Sequence, residues 1–330
     1  MSKSGQIVLT VTSILSAVIL YSHLTPVTKL PPGTVVLICG ASSGIGEELA
    51  YQAAEDGARL ALVARSLDKL VRVKEEALVR GAQGVEVLVS DFSDVVGSSA
   101  VVNRTVQRFG RLDYLVLNHV GAPLGPFLAV KSMQNPAFIE KIFRVNFFSN
   151  IQLTLEALPH LEASLGHIFV TSSTFGEMPI NYGMALYSAS KHAMNGFFYS
   201  IQQELLAKKS PISLTLGALG LILTPDIEQL WKNDTLPINL ISGSIQNSAR
   251  GILDSYTSRP DTWTYPALPS YFMRAMWYFN PWFQKMAVFQ SKQPGSRGWG
   301  YEASVLKWEE KVHIATERRF GSGYNERYSP

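Results

Sequence analysis

Short apolar runs, each closed by glycine or by polar residues, recur along the first two thirds of this chain. Residues 35–39 (Val-Val-Leu-Ile-Cys), 60–64, 85–89, 112–117 and 166–171 are such runs. They are too short for helices. They lack polar alternation, as expected of parallel strands covered on both faces. Between them lie stretches of mixed polarity. Residues 47–56 read as a helix ended by Gly57, and a longer helix begins near Leu186 and continues to about Leu206. Strands alternating with helices predict an α/β fold: a Rossmann-type doubly wound parallel sheet of about seven strands, with helices on both faces. We place this domain at residues 33–290.

The two ends depart from that pattern. Residues 7–24 are mostly apolar and contain no Asp, Glu, Lys or Arg. A helix of that length is roughly 27 Å long, close to the thickness of bilayer hydrocarbon. Residues 1–24 therefore read as a single-pass membrane anchor of the signal-anchor type. A cleaved signal peptide, giving a secreted protein, and a packed or surface helix are the alternatives; no clear small-residue cleavage site follows the run. Residues 25–32, with Pro26, Pro31 and Pro32, read as a stiff linker. Near residues 271–289 aromatic and Met side chains crowd together, with Arg274 and Lys285 as the formal charges. Such a segment suits a membrane interface, a homodimer contact or a lid over an apolar pocket. Residues 291–330 are polar and glycine-rich, and we expect partial disorder there.

Charge adds little. The net charge of +3 over 330 residues gives no basis for nucleic-acid binding. A charged fraction of 17% against 46% hydrophobic residues fits membrane contact. Cys39 is the single cysteine, so no intrachain disulfide exists and the compartment is left open. Asn103-Arg104-Thr105 and Asn233-Asp234-Thr235 are possible glycan acceptors, compatible with a lumenal domain.

The first strand runs straight into Gly40-Ala41-Ser42-Ser43-Gly44-Ile45-Gly46, and a helix follows. Glycines allow open dihedrals and close backbone approach to a pyrophosphate, which the helix N-terminus then attracts. At the end of the second strand, where an acidic residue would select NAD, stand Arg65 and Ser66. Arg65 can pair with a 2′-phosphate, so the reading favours NADP(H) over NAD. Ser42 adds a hydroxyl donor. Asp91, followed by Phe92, either accepts from the adenine amino group or caps the next helix. Asn118-His119-Val120-Gly121 closes the fourth strand. There Asn118 is read as steadying the pocket floor and His119 as a packed histidine.

Tyr187-Ser188-Ala189-Ser190-Lys191 opens the long helix. Residues four apart share a helix face, so Tyr187 and Lys191 project into one space. A free phenol titrates at about 10, and a nearby ammonium is expected to lower that value. Tyr187 can then serve as acid for ketone reduction or base for alcohol oxidation. Ser173, at the C-terminal edge of the fifth strand, can stabilise charge on the same oxygen; Ser172 and Thr174 are its rivals.

These motifs together resemble the short-chain dehydrogenase/reductases of the classical type, over about residues 33–260. Within them the chain looks most like the 11β-hydroxysteroid dehydrogenase type 1 group and its type-1-like relatives. Ala64-Arg65-Ser66, Leu117-Asn118-His119-Val120, Gly196-Phe197-Phe198 and Leu219-Gly220-Leu221-Ile222 carry that likeness. The resemblance implies a catalytic tetrad of Asn146, Ser173, Tyr187 and Lys191. It gives Asn146 a water that links Lys191 to solvent, and Lys191 the nicotinamide ribose. It assigns Ile222 to the carboxamide and Thr224 to the phosphate. It also implies tethering to the endoplasmic reticulum membrane with a lumenal catalytic domain, and a lipophilic substrate such as a steroid. Retinoids and other carbonyl compounds are alternatives, as is a catalytically silent, membrane-tethered cofactor-binding sensor. Two departures stand out: Cys39 occupies the place of the usual Thr, and His119-Val120 replaces the commoner Asn-Ala.

Overall fold

The computed structural model describes residues 28–121, 136–178, 185–225, 227–228, 242–267, 269–271 and 274. The anchor at 7–24, most of the linker, most of the aromatic segment, the polar tail and Asn233 lie outside the described residues. No helix among the described residues is long and apolar enough to cross a membrane.

Seven strands form one parallel sheet: β1 Val35–Cys39, β2 Arg59–Ala64, β3 Gly84–Val89, β4 Tyr114–Leu117, β5 His167–Ser173, β6 Ser213–Leu219 and β7 Thr262–Tyr265. Their spatial order is β3-β2-β1-β4-β5-β6-β7, and every adjacent pair is parallel. The order reverses between β1 and β4, which leaves a crevice at their C-terminal ends. The first five strands match the apolar runs to within a few residues. β5 extends past the predicted residue 171 to Ser173, and so carries its hydroxyls into the sheet edge.

Helices α1 (Gly44–Glu55), α2 (Leu67–Val79) and α7 (Ile245–Ser258) belong to one layer. Leu49, Leu70, Val73 and Ile252 pack there against Val36, Ile38 and Leu62 of the sheet. Helices α3 (Val95–Phe109), α5 (Ser149–Ser164) and α6 (Ala185–Ala207) cover the other face. Val102, Leu153, Leu161 and Phe198 meet Leu37, Leu115 and Ile168 there. All five residues of β1 are buried, as a central strand in a three-layer domain must be. Its last residue, Cys39, is a fully buried thiol whose pKa burial pushes far up, so it behaves as a small apolar side chain.

Two features were not foreseen. Helix α4 (Pro136–Phe143) runs into α5 through a π-helical turn at Arg144–Phe148. In addition, Asn103 lies inside α3, and its amide donates to Glu156 and accepts from His160 at 3.3 Å. Thr105 of that tripeptide is fully buried, its hydroxyl turned back to the Val101 carbonyl at 2.7 Å.

Candidate active site

The glycine loop closes on the crevice floor. Gly40 has φ +89°, and a Cβ there would lie 2.9 Å from His119 Cα. A Cβ on Gly46 would lie 2.0 Å from the Gly40 carbonyl oxygen. Only glycine allows so tight a turn where the strand hands over to α1. Gly44, at φ +57°, faces the Thr224 methyl. Ser43 caps α1 with extended backbone and makes no side-chain capping bond, so the helix's first N–H groups keep their anion-binding capacity. Ile45 packs into the core beneath. Ser42 is partly exposed beside it.

Around this loop the other predicted contacts take their places. Arg65 directly follows the last residue of β2 and is exposed. Ser66 is the N-cap of α2 without a side-chain capping bond. Asp91 is exposed and accepts from Ser93 N at 2.9 Å. The cap of α3 is Asp94 instead, so the capping alternative for Asp91 is corrected. Asn118 bridges the floor: its Nδ2 donates to the Gly40 carbonyl at 3.5 Å, and its Oδ1 accepts from Thr171 at 3.3 Å. Phe92 stacks on the His119 ring at 3.8 Å between centroids. His119 Nε2 bonds Ser149 Oγ at 2.7 Å, and burial holds its pKa down to about 3. Both rings are therefore consumed by packing. Val120 is partly exposed at the rim. Ile222 is buried and bridges Gly243, and its carbonyl accepts from Thr224 N at 2.8 Å.

Helix α6 and strand β5 bring the reactive side chains together. Ser173 lies close enough to the Tyr187 phenol to pull its pKa down. Lys191 is buried, with Nζ donating to the Thr171 carbonyl at 2.7 Å and lying 5.8 Å from the centre of the Tyr187 ring. Their surroundings separate the serine rivals. Ser172 is already engaged, donating to Asn195 Oδ1. Thr174 is fully buried, and its hydroxyl has no partner among the described residues.

One expectation needs correction. Tyr187 is not lowered: burial raises its pKa, and the opposing pull comes from Ser173. The cause is geometric. Lys191 reaches past the ring to a backbone carbonyl, and burial depresses its own pKa to about 7.

Asn146 sits in the π-turn, fully buried. Its Oδ1 accepts from Gly121 N at 2.8 Å, and its Nδ2 donates to Ser190 Oγ at 3.0 Å. Ser190 in turn donates to the Tyr187 carbonyl at 2.8 Å. The Asn146 backbone carbonyl accepts from Asn150 Nδ2 at 2.9 Å. Ser188, Ser190 and Asn195 were not singled out from the sequence. The available signal was polar residues on the same helix turns as Tyr187 and Lys191. Beyond this shell, Glu177 pairs with Arg274, whose Nη2 also reaches Thr264 Oγ1 at 3.3 Å. No cluster able to hold a metal ion occurs among the described residues.

The family model for short chain dehydrogenase matches residues 34–235. A hydroxysteroid 11-beta-dehydrogenase 1-like protein of Xenopus tropicalis is 38% identical over 250 residues, 76% of this chain and 83% of that protein. A like-named protein A of Xenopus laevis is 35% identical over 234 residues, 71% of this chain and 78% of its own. L-sorbose reductase from Gluconobacter frateurii, complexed with NADPH and L-sorbose, superposes with a TM-score of 0.62 at 23% identity, covering 71% of this chain and 95% of that one. A short chain dehydrogenase from Burkholderia cenocepacia in complex with NADP gives 0.61 at 24% identity, with 71% and 96% coverage. A glycine-lined crevice facing a Ser–Tyr–Lys group is thus accompanied by a sequence match over most of the domain, and the chain belongs to the short-chain dehydrogenase family.

Proposed function

We propose that this protein is an NADP(H)-dependent oxidoreductase that interconverts a hydroxyl and a keto group on a lipophilic substrate, with steroids the first class to test. The observation that carries the reading is the convergence of Ser173, Tyr187 and Lys191 beside the glycine loop. The residues fit a dinucleotide. A Cβ would fill the cradle at Gly40 and Gly46, and the α1 N-terminus has no side-chain cap. The loop from Gly40 to Gly46 would hold the pyrophosphate, and Thr224 lies against Gly44 on the same side. Arg65 and Ser66 would take the 2′-phosphate, Asp91 the adenine, Lys191 the nicotinamide ribose and Ile222 the carboxamide. When bound, the nicotinamide supplies or takes up the hydride.

The chain's own residues handle the proton. In reduction Tyr187 gives its phenolic proton to the substrate oxygen, while Ser173 donates a hydrogen bond to that oxygen. In oxidation Tyr187 takes the proton from the hydroxyl. A phenol raised by burial is well suited to remain protonated until the substrate oxygen becomes basic.

The likeness to the hydroxysteroid 11-beta-dehydrogenase 1-like proteins of Xenopus supports a steroid. The NADPH and NADP bound by the two structural neighbours, with Arg65, support NADP(H). The apolar, uncharged stretch at 7–24 supports a single-pass anchor in the endoplasmic reticulum membrane, with the catalytic domain on the lumenal side. A homodimer is supported by exposed apolar side chains at seven-residue spacing, Phe148 at the end of the π-turn with Leu155 on α5, and Tyr199 with Leu206 on α6.

Detergent-solubilised protein should oxidise NADPH in the presence of a ketosteroid, a retinal or a simple ketone, and should prefer NADPH to NADH. Tyr187→Phe should lower kcat by about a thousand-fold or more while leaving NADPH binding intact. Unchanged turnover in that variant would overturn the reading.

A further inference from the structure

Ser173 has to be held against Tyr187, yet the two come from different elements: the end of β5 and the first turn of α6. The Ser173 hydroxyl leads directly into a short 3-10 turn, Thr174–Gly176, whose Phe175 N it accepts at 3.2 Å. Whatever fixes this turn to α6 fixes the serine to the tyrosine. Asn195 does so with both ends of its amide. Its Oδ1 accepts from Ser172, next to Ser173 on β5. Its Nδ2 donates to the Gly176 carbonyl at 2.9 Å. A carbonyl can only accept, so this pairing settles which way the amide faces.

Three further observations support the arrangement. Asn195 is buried, at 4% exposure, so its two bonds are not exchanged for water. The turn presses onto α6 so closely that a Cβ on Gly176 would lie 2.9 Å from Asn195 Nδ2 and 2.9 Å from the Lys191 carbonyl. Ser188 Oγ donates to the Phe175 carbonyl at 2.7 Å, a second tie between the same two elements. Asn195 also stands one helical turn beyond Lys191, which itself stands one turn beyond Tyr187. One stripe of α6 thus carries the acid/base, the cation and the clamp.

We propose that Asn195 is the positioning residue for Ser173: its side-chain amide clamps the end of β5 and the following turn to the helix that bears Tyr187 and Lys191. It touches neither substrate nor cofactor and acts through Ser173. The inference rests on the oxidoreductase reading above. It extends that reading to a residue outside the reacting groups.

The test is Asn195→Leu, nearly isosteric and without hydrogen-bonding groups, measured in the full chain in both reaction directions. A loosened Ser173 should lower kcat at least about ten-fold. Binding of NADPH, measured by fluorescence, should change by less than about two-fold, because the glycine loop lies on the other side of the crevice. Ser173 pulls the Tyr187 pKa down, so with Ser173 displaced the acid limb of the kcat profile for alcohol oxidation should move to higher pH. A residue that served the fold alone would not move that limb. Ser172→Ala cuts one arm of the clamp and should give a smaller loss of kcat. Adding it to Asn195→Leu should cost nothing more. Wild-type kcat in either soluble, cofactor-binding variant, or a fall in kcat without a shift of the acid limb, would overturn the proposal; if Asn195→Leu does not fold, Ser172→Ala decides alone. If the unmodified protein turns over no ketone, or Tyr187→Phe equals wild type, the oxidoreductase reading fails instead, independently of Asn195.

Discussion

Lys191 shows how a single residue sets the conditions for the site. Its ammonium is buried against one backbone carbonyl, and burial brings its pKa to about 7. An unfolded chain would hold the same proton up to about 10.4. Between those values the unfolded state binds more protons than the folded one, so this residue makes stability rise with pH across that window. Below about 7 both states are charged, and the full burial cost, on the order of a few kcal/mol, applies. Lys191→Met should therefore raise the Tm at about pH 6, and the gain should shrink towards zero near pH 10. Turnover should be lost at every pH. Thermal scans of wild type and variant at the two pH values check this; a pH-independent difference would contradict a neutral buried amine. The lowered amine and the raised phenol of Tyr187 have the same cause, removal from water. Motif spacing put the two groups together but could not supply their burial, and this is why the expected lowering of Tyr187 did not appear.

At the level of elements, what could be read in the chain was what depends on local pattern. Val35–Cys39 is apolar at every position because both faces are covered, and the glycine loop after it needs conformations that few residues adopt. What could not be read depends on partners distant in sequence. β7, Thr262–Tyr265, is half-exposed and short, and its register comes from β6. The π-turn at Arg144–Phe148 has no compositional mark; within it Asn146 spans Gly121 and Ser190. The Asn195 clamp is hidden for the same reason, since Gly176 is nineteen positions away in the chain. The loop also gives a prediction at this scale. Gly46→Ala places a methyl 2.0 Å from the Gly40 carbonyl oxygen, in a turn with no flexible side chain to move aside. The loop must then open, and the hand-over from β1 to α1 loses its cradle. NADPH affinity should fall at least about ten-fold, with a Tm loss of several degrees. Gly196→Ala, inside α6 where a Cβ meets nothing within 4 Å, is the matched control; it should leave NADPH affinity unchanged and hold or slightly raise the Tm.

For the molecule as a whole, the sheet's parallel strands give it two unlike ends. The crevice lies at their C-terminal ends, and the chain enters β1 at the opposite end. The entering segment is fastened there. Leu30 is buried to 2% exposure, and its N–H donates to Asp56 Oδ2 at 3.0 Å. Arg250 donates to that same oxygen at 3.0 Å and to the Thr28 carbonyl at 3.0 Å, and also holds Asp254 at 2.9 Å. Thr28 Oγ1 reaches Asp254 at 3.3 Å. This network makes residues 28–34 part of the domain, although composition grouped residues 25–32 as a linker. Removing residues 1–27 should therefore release an active domain from membranes, with its Tm close to that of the full chain. Removing residues 1–32 should not be benign. It exposes the Leu30 site and leaves buried Asp56 and Arg250 short of partners, a loss of about 3 kcal/mol or more. Membrane pelleting, thermal unfolding and NADPH turnover on the two truncations decide the matter. Equal stability of the two would mean that the segment before β1 is a tether and nothing more. Membrane retention of the shorter truncation would point instead to the aromatic segment near residues 271–289 as a second attachment.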